Sequence, residues 1–287
     1  MVARCRPAVA GRYRFAAMGF EYRGAVAIVT GASSGIGAAV ARDLASRGTI
    51  VIAAARRREM LEAVVADCRR GAPGSEAAVC DVGERDQIEA LCRDALSRHG
   101  KVDVLVNNAG IPMRVHATRL TAEQVERVMR IDFFGAVWPT LVLLPSMLER
   151  RSGHIVNVSS VAGRLPSARE AGYTAAKHAL NGWSDVLAVD LYGTGVKVHT
   201  VNPGPIRTEI WGKIQEPAAF KGKQYPPERI AAVVRACLER GSHERWFPRS
   251  MAWLPPFKMA MPRAFIRSFA AFDRRADRAA KSNGTET

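Results

Sequence analysis

Tyr173 and Lys177 stand four residues apart in a stretch whose apolar spacing predicts a helix over Ala171–Leu191. That spacing puts phenol and ammonium on one helix face, about 5–6 Å apart at Cβ. A phenol with a pKa of about 10 is a poor base near neutrality. A lysine charge about 4 Å away, at an effective dielectric of about 20, favours the phenolate by roughly 4 kcal/mol. The expected result is a tyrosine pKa lowered by about 3 units, into the range where a general acid/base works best. Ser160 lies thirteen residues upstream of Tyr173, at the end of the apolar run His154–Ser159, which reads as a buried strand. A Tyr-x-x-x-Lys pair alone is common on solvated helices, so the rest of the chain must support this chemistry.

A second cluster lies near the start. Thr30-Gly31-Ala-Ser33-Ser34-Gly35-Ile36-Gly37 separates a predicted strand from its helix. Glycines there permit a tight turn and let backbone N–H groups approach a pyrophosphate at the helix N-terminus. The next strand ends Ala55-Arg56-Arg57-Arg58. A site for NAD wants a carboxylate near that strand end, whereas a guanidinium suits a ribose 2′-phosphate. Arg56 therefore favours NADP(H), with NAD(H) as the alternative.

These clusters need a scaffold. Short apolar runs predict strands at Ala25–Thr30, Ile50–Ala55, Ala77–Cys80, Val102–Asn107, Ile155–Ser159, Val196–Val201 and Arg245–Phe247. Helical patterns intervene at Gly35–Arg47, Arg57–Arg69, Arg85–Arg98, Ala122–Arg150, Ala171–Leu191 and Pro227–Arg240. Continuous rather than alternating apolar strands suit a parallel sheet covered on both faces. The fold class is α/β: a Rossmann-type, doubly wound parallel sheet in a single domain over 23–248, with a C-terminal helical extension over 249–287. Residues 1–22 read as a disordered basic arm, 205–225 as a substrate loop, and the tail from Asp273 as disordered.

The 287 residues carry a formal charge of +15, and arginines crowd both ends. Such a balance fits solubility or an acidic partner; nucleic acid is not expected, since no binding motif accompanies it. No run of 18 apolar residues occurs, so no spanning helix is expected. The five cysteines are odd in number and lack metal-ligand spacing, so they read as reduced thiols of a cytoplasmic protein, with no metal. Trp246–Phe272 interleaves bulky apolar residues with Arg249, Lys258, Arg263 and Arg267. That pattern suits peripheral contact with anionic membrane, a helix closing the cleft, or a subunit contact.

Together, Thr30–Gly37, Asn107-Asn108-Ala109-Gly110, Ser160, Tyr173/Lys177 and Pro203-Gly204 resemble the short-chain dehydrogenase/reductase family over about residues 22–247. The resemblance implies that Tyr173 exchanges a proton with the substrate oxygen. It also implies that Lys177 holds the nicotinamide ribose and tunes the phenol, and that Ser160 polarises the substrate oxygen. By the same resemblance Asp81 and Val82 lie beside the adenine and Asn108 beside the ribose. Pro203, Gly204, Ile206 and Thr208 would meet the nicotinamide, and a homo-oligomer, dimer or tetramer, is expected.

One position departs from the family pattern. Asp132 stands where relatives usually carry an asparagine that supports a water relay to the lysine. An ionised carboxylate cannot donate as an amide does. Close to Lys177 it would favour the ammonium and partly neutralise its effect on Tyr173. Retained activity with a shifted pH optimum is the expectation. Ile210 and Trp211 are candidate walls of a substrate pocket. His178 and His199 have no partner at ligand spacing and read as structural.

The expected function is NADP(H)-dependent interconversion of a carbonyl and an alcohol on a lipophilic small molecule. The rivals are an NAD-dependent dehydrogenase, a carrier-linked ketoreductase and a nucleotide-sensing protein without turnover.

Overall fold

In a computed structural model, residues 19–209 and 223–282 are described, with backbone only at 272 and 275–282. The predicted N-terminal arm, apart from residues 19–22, together with Ile210, Trp211 and most of the substrate loop, therefore lies outside the described residues.

Seven strands form one parallel sheet: β1 Val26–Thr30, β2 Ile50–Ala55, β3 Glu76–Val79, β4 Val104–Asn107, β5 Gly153–Val158, β6 Val196–Pro203 and β7 Glu244–Phe247. Their order is β3-β2-β1-β4-β5-β6-β7, and every adjacent pair is parallel. Because the strands are covered on both faces, successive residues are apolar rather than alternating. Ile28, Ile52, Leu105 and Ile155 are completely buried. Each such side chain contributes about 1.5–3 kcal/mol by leaving water.

Helices α1 Gly35–Ala45, α2 Arg58–Arg69 and α3 Arg85–His99 cross between the first four strands. Gly100 ends α3 at φ 70°, in the left-handed region where glycine pays no steric penalty. Helix α4, Ala122–Met129, starts with a capping box between Thr121 and Gln124.

The single long helix expected over Ala122–Arg150 is instead broken by a π turn at Arg130–Phe134 before α5, Gly135–Glu149. The Gly135 N–H bonds to the Arg130 carbonyl, five residues back, which is the widened turn itself. Apolar periodicity does not register one wide turn, so the sequence reading missed it. Ala122–Glu149 is also long and apolar enough to cross a membrane by length and composition, because it is poor in charge without being an unbroken apolar run. Here Val128, Leu143 and Met147 are buried in the protein core.

Helix α6, Ala171–Asp190, carries Tyr173 and Lys177, and α7, Glu228–Arg240, packs against α1. After β7 come a 3-10 turn at Arg249–Trp253, α8 Leu254–Ala260 and α9 Pro262–Ser282. Disorder was expected from Asp273, but α9 continues through it. Asp273 is ion-paired to Arg169 at 3.2 Å and to buried Arg114 at 3.6 Å. These long-range partners were not visible in the local composition.

Candidate active site

The chain runs outward through β1, β2 and β3 and then returns to place β4 beside β1, so the sheet has its switch point between β1 and β4. Open α/β sheets bind ligands in the crevice at such a point. Thr30, the last residue of β1, ties it shut below. Its Oγ1 accepts from the N–H groups of Asn108 and Ala109 at 3.0 and 3.1 Å and donates to the Val106 carbonyl at 3.3 Å. Asn108 completes the tie, its amide donating to the Thr30 carbonyl at 3.0 Å.

Above this tie lies a cavity of about 270 Å³. Gly31, Ser33, Ser34, Gly35 and Ile36 form one wall; Arg56, Asp81 and Val82 form the next. Asn108, Asp132, Tyr173, Lys177 and Thr208 complete it. Gly37 stands behind the turn, where a Cβ would collide with the Gly31 carbonyl oxygen. A Cβ on Gly31 would lie 2.8 Å from the Ala109 Cα. The turn is therefore closed to side chains, and the cradle it forms fits the pyrophosphate of a dinucleotide.

Pro203, Gly204 and Ile206 do not line this cavity. The Gly204 N–H bonds to the Phe247 carbonyl at 2.6 Å, and Ile206 is buried and bridged to Tyr225. Gly204 is thus tied to β7 and Ile206 to Tyr225, while Thr208 lines the cavity wall.

The arginine run reaches the cavity wall with both Arg56 and Arg57. Arg56 turns to Asp81 at 3.4 Å. Arg57, which was not singled out, lies over the glycine-rich turn and donates to Ser33 Oγ at 3.1 Å and Ser34 Oγ at 2.7 Å, and to Glu209 at 2.7 Å. The strand ends at Ala55 and α2 begins at Arg58, so Arg57 holds the N-cap position. Three consecutive arginines signal the chemistry but not which one faces the turn.

At the other end of the cavity, the π turn brings Asp132 inward until it is only 2 % exposed, and Lys177 is 3 % exposed. Asp132 Oδ1 accepts from the Ile111 N–H at 2.8 Å, and Oδ2 lies 3.4 Å from Lys177 Nζ. Gly110 allows this approach, since a Cβ there would sit 2.8 Å from Asp132 Oδ2. Lys177 Nζ also donates to the Val158 carbonyl at 3.3 Å and lies 5.7 Å from the Tyr173 ring centroid. Burial raises the Asp132 carboxyl above its usual range, against the lowering effect of Lys177.

Tyr173 was expected to be pulled down by Lys177. Its pKa is instead raised, first by burial and then by the Asp132 charge, while a hydrogen bond with Ser160 works the other way. Ser160 Oγ also accepts from the Ala162 N–H at 3.1 Å, which fixes the hydroxyl at the mouth of the turn following β5. Ser159, by contrast, is buried and its hydroxyl donates to the Lys177 carbonyl at 3.4 Å.

Away from the cavity, His199 has a partner after all. His154 Nδ1 and His199 Nε2 are 3.0 Å apart in a stacked pair. Two histidines on neighbouring strands with the register Val156↔His199 were not linked by sequence spacing alone. Among the described residues, no group of three His, Cys, Asp or Glu side chains is placed to hold a metal ion.

The comparisons with known proteins agree with this fold. The family model for short chain dehydrogenase matches residues 25–219. A 3-oxoacyl-[acyl-carrier-protein] reductase of Thermotoga maritima is 34 % identical over 74 % of this chain and 89 % of its own. A metagenomic short-chain oxidoreductase solved with NADP superposes with a TM-score of 0.67 at 33 % identity, covering 78 % of this chain and 96 % of its own. A short-chain dehydrogenase/reductase of Burkholderia phymatum solved with NAD gives 0.77 at 26 % identity, covering 84 % and 95 %.

The seven-stranded sheet and its switch-point cavity define a Rossmann-type, nucleotide-binding protein. The chain belongs to the short-chain dehydrogenase/reductase family of nicotinamide-dependent oxidoreductases.

Proposed function

We propose that the protein is an NADP(H)-dependent oxidoreductase that interconverts a carbonyl and an alcohol on a lipophilic small molecule, with Tyr173 as general acid/base. The observation that carries the cofactor preference is the pair Arg56 and Arg57 at the cavity wall. Their present partners, Asp81 and Glu209, are partly exposed, with side-chain exposures of 30 % and 47 %. Ion pairs at such positions are worth only about 0–1 kcal/mol. A ribose 2′-phosphate could therefore take the guanidinium groups at little cost, and bidentate phosphate binding is what arginine does best.

A bound nicotinamide cofactor supplies hydride transfer at the substrate carbon. The protein's part is orientation and proton movement. In the reductive direction Tyr173 donates its phenolic proton to the substrate oxygen, and Ser160 holds that oxygen by a hydrogen bond. Lys177 binds the cofactor ribose and anchors α6 to β5 through the Val158 carbonyl. With its pKa raised, the phenol is protonated near neutrality, the form that donates in reduction, and is a weaker acid than a free phenol. Asp132 positions Lys177 and, by its charge, keeps Tyr173 in the proton-donating form.

Titration of NADPH and NADH into the purified protein, followed by nicotinamide fluorescence, tests the cofactor reading. NADPH should bind more tightly, and Arg57→Ala should weaken NADPH by about 10–100-fold, the worth of a charge-assisted hydrogen bond, with little effect on NADH. Equal binding of the two, unchanged in Arg57→Ala, contradicts it and favours an NAD-dependent enzyme. A carrier-linked ketoreductase is the second reading, supported by the +15 charge and by the Thermotoga relative. It predicts much faster reduction of carrier-bound than of free ketoacyl substrate.

A further inference from the structure

The C-terminal segment has two faces with different partners. Its inner face is anchored. Phe265 is 2 % exposed and stacks on Phe269 at 4.6 Å, and Asp273 reaches Arg169 and Arg114. Phe265, Phe269 and Asp273 follow one another at i, i+4 and i+8, a single stripe along α9. Lys258 Nζ donates to the Arg164 carbonyl at 3.3 Å, which ties α8 to the loop between Ser160 and α6.

The outer face has no such anchoring. Trp253 is 78 % exposed, Met259 82 %, and Phe257, Met261 and Ile266 about half. On α9 the outward positions Arg263, Ile266 and Arg267 fall at i, i+3 and i+4, so cations flank the apolar residue on one stripe. Arg249, Lys258, Arg263 and Arg267 are the charged residues from 249 to 272, and that stretch contains no Asp or Glu.

We propose that the surface formed by Arg249–Trp253, α8 and the outer face of α9 docks on an anionic lipid bilayer. Charge complementarity selects this occupant. A second copy packed isologously would set the same cations against one another, and like charges in contact disfavour association. A lipid surface of negative potential attracts the exposed Arg249, Arg263 and Arg267 at once. Exposed Trp and Met then enter the headgroup boundary, and arginine stems lie along it with their guanidinium groups in water. The contacts of Lys258 and Asp273 hold this surface against the 164–170 loop that leads into Tyr173. A lipophilic substrate dissolved in the bilayer would then meet the protein on its catalytic side. That last consequence rests on the proposed function; the docking does not.

The test is cosedimentation of the full-length protein with phosphatidylcholine vesicles, with and without phosphatidylserine, at low and high salt. The wild type should bind the phosphatidylserine vesicles at low salt. Arg263→Gln/Arg267→Gln should bind about thirtyfold more weakly, and Trp253→Ser/Met259→Ser/Ile266→Ser should also lose most binding. Both variants should keep the wild-type circular dichroism and NADPH affinity, since every substituted residue is exposed. No vesicle binding by the wild type overturns the proposal. Undiminished binding by both variants also overturns it, because another surface then holds the lipid. So does a wild-type dimer that the apolar triple variant dissociates, which would assign the face to a second copy. Failure of the oxidoreductase reading would leave vesicle binding intact, so the two failures are distinguishable.

Discussion

Two charge clusters flank Tyr173, one buried and one partly exposed, and they were built by different means. On one side, Asp132 and Lys177 are 2 % and 3 % exposed and line the cavity, Asp132 placed by the π turn and Lys177 by α6. On the other, Arg114, Glu170, Arg169 and Asp273 join three separate loops and helices far apart in sequence. Arg169 itself has a φ of 65°, a strained region for a side chain with a Cβ. The first cluster bears on the phenol through the Asp132 charge, which raises it. The second holds the C-terminal helix against the segment that starts α6, and it acts on the phenol only through Glu170 and through position.

Substitution should separate these roles. Asp132→Ala removes one partner of a buried ion pair and leaves Lys177 and the Ile111 N–H without their carboxylate. It should cost about 3–5 kcal/mol of stability, measured by urea unfolding with cofactor absent. Asp273→Ala should cost less, about 1–3 kcal/mol, because Arg114 keeps Glu170 at 3.5 Å. It should raise KM more than it lowers kcat, since it loosens the substrate side and leaves the proton-transfer groups in place. An Asp273 variant with the larger loss of stability would reverse the comparison.

A third effect depends on pH. His154 is pushed down to about 3 and His199 to about 4, both from 6.5, chiefly by burial. The unfolded chain therefore binds protons that the folded pair refuses. Stability should fall as pH drops below about 6.5 towards 4, and be independent of this pair above that range. Thermal melting across the window checks it, and replacing both histidines with Gln should flatten the acid limb.

The same contrast explains what could be read from the chain alone. Strands buried on both faces must be continuously apolar, so the inner strands and the glycine-rich turn were legible from residue type and spacing, and all seven strands were expected within two residues of their ends. The short β3 was displaced by one residue, to Glu76–Val79, because its edge position leaves Val79 46 % exposed and its pattern weak. Tyr173 and Lys177 were legible because their spacing is a property of one helix. The π turn was not, since it changes the position of Asp132 without changing the apolar pattern. Arg57 and the His154–His199 pair depended on orientations set by neighbouring strands. The ordering of α9 past Asp273 depended on partners more than 100 residues away, namely Arg169 with a separation of 104.

The central claim is that a phenol raised by burial and by Asp132 donates the proton in carbonyl reduction. The most direct measurement is reductive turnover and NADPH binding for Tyr173→Phe beside Asp132→Asn, across pH, with one lipophilic ketone substrate. Tyr173→Phe should bind NADPH normally and lose about 10²–10⁴-fold in turnover. Asp132→Asn should stay active while the pKa on the alkaline limb moves down, because the negative charge that raises the phenol is gone. Full turnover in Tyr173→Phe, or an unmoved alkaline limb in Asp132→Asn, would contradict the account.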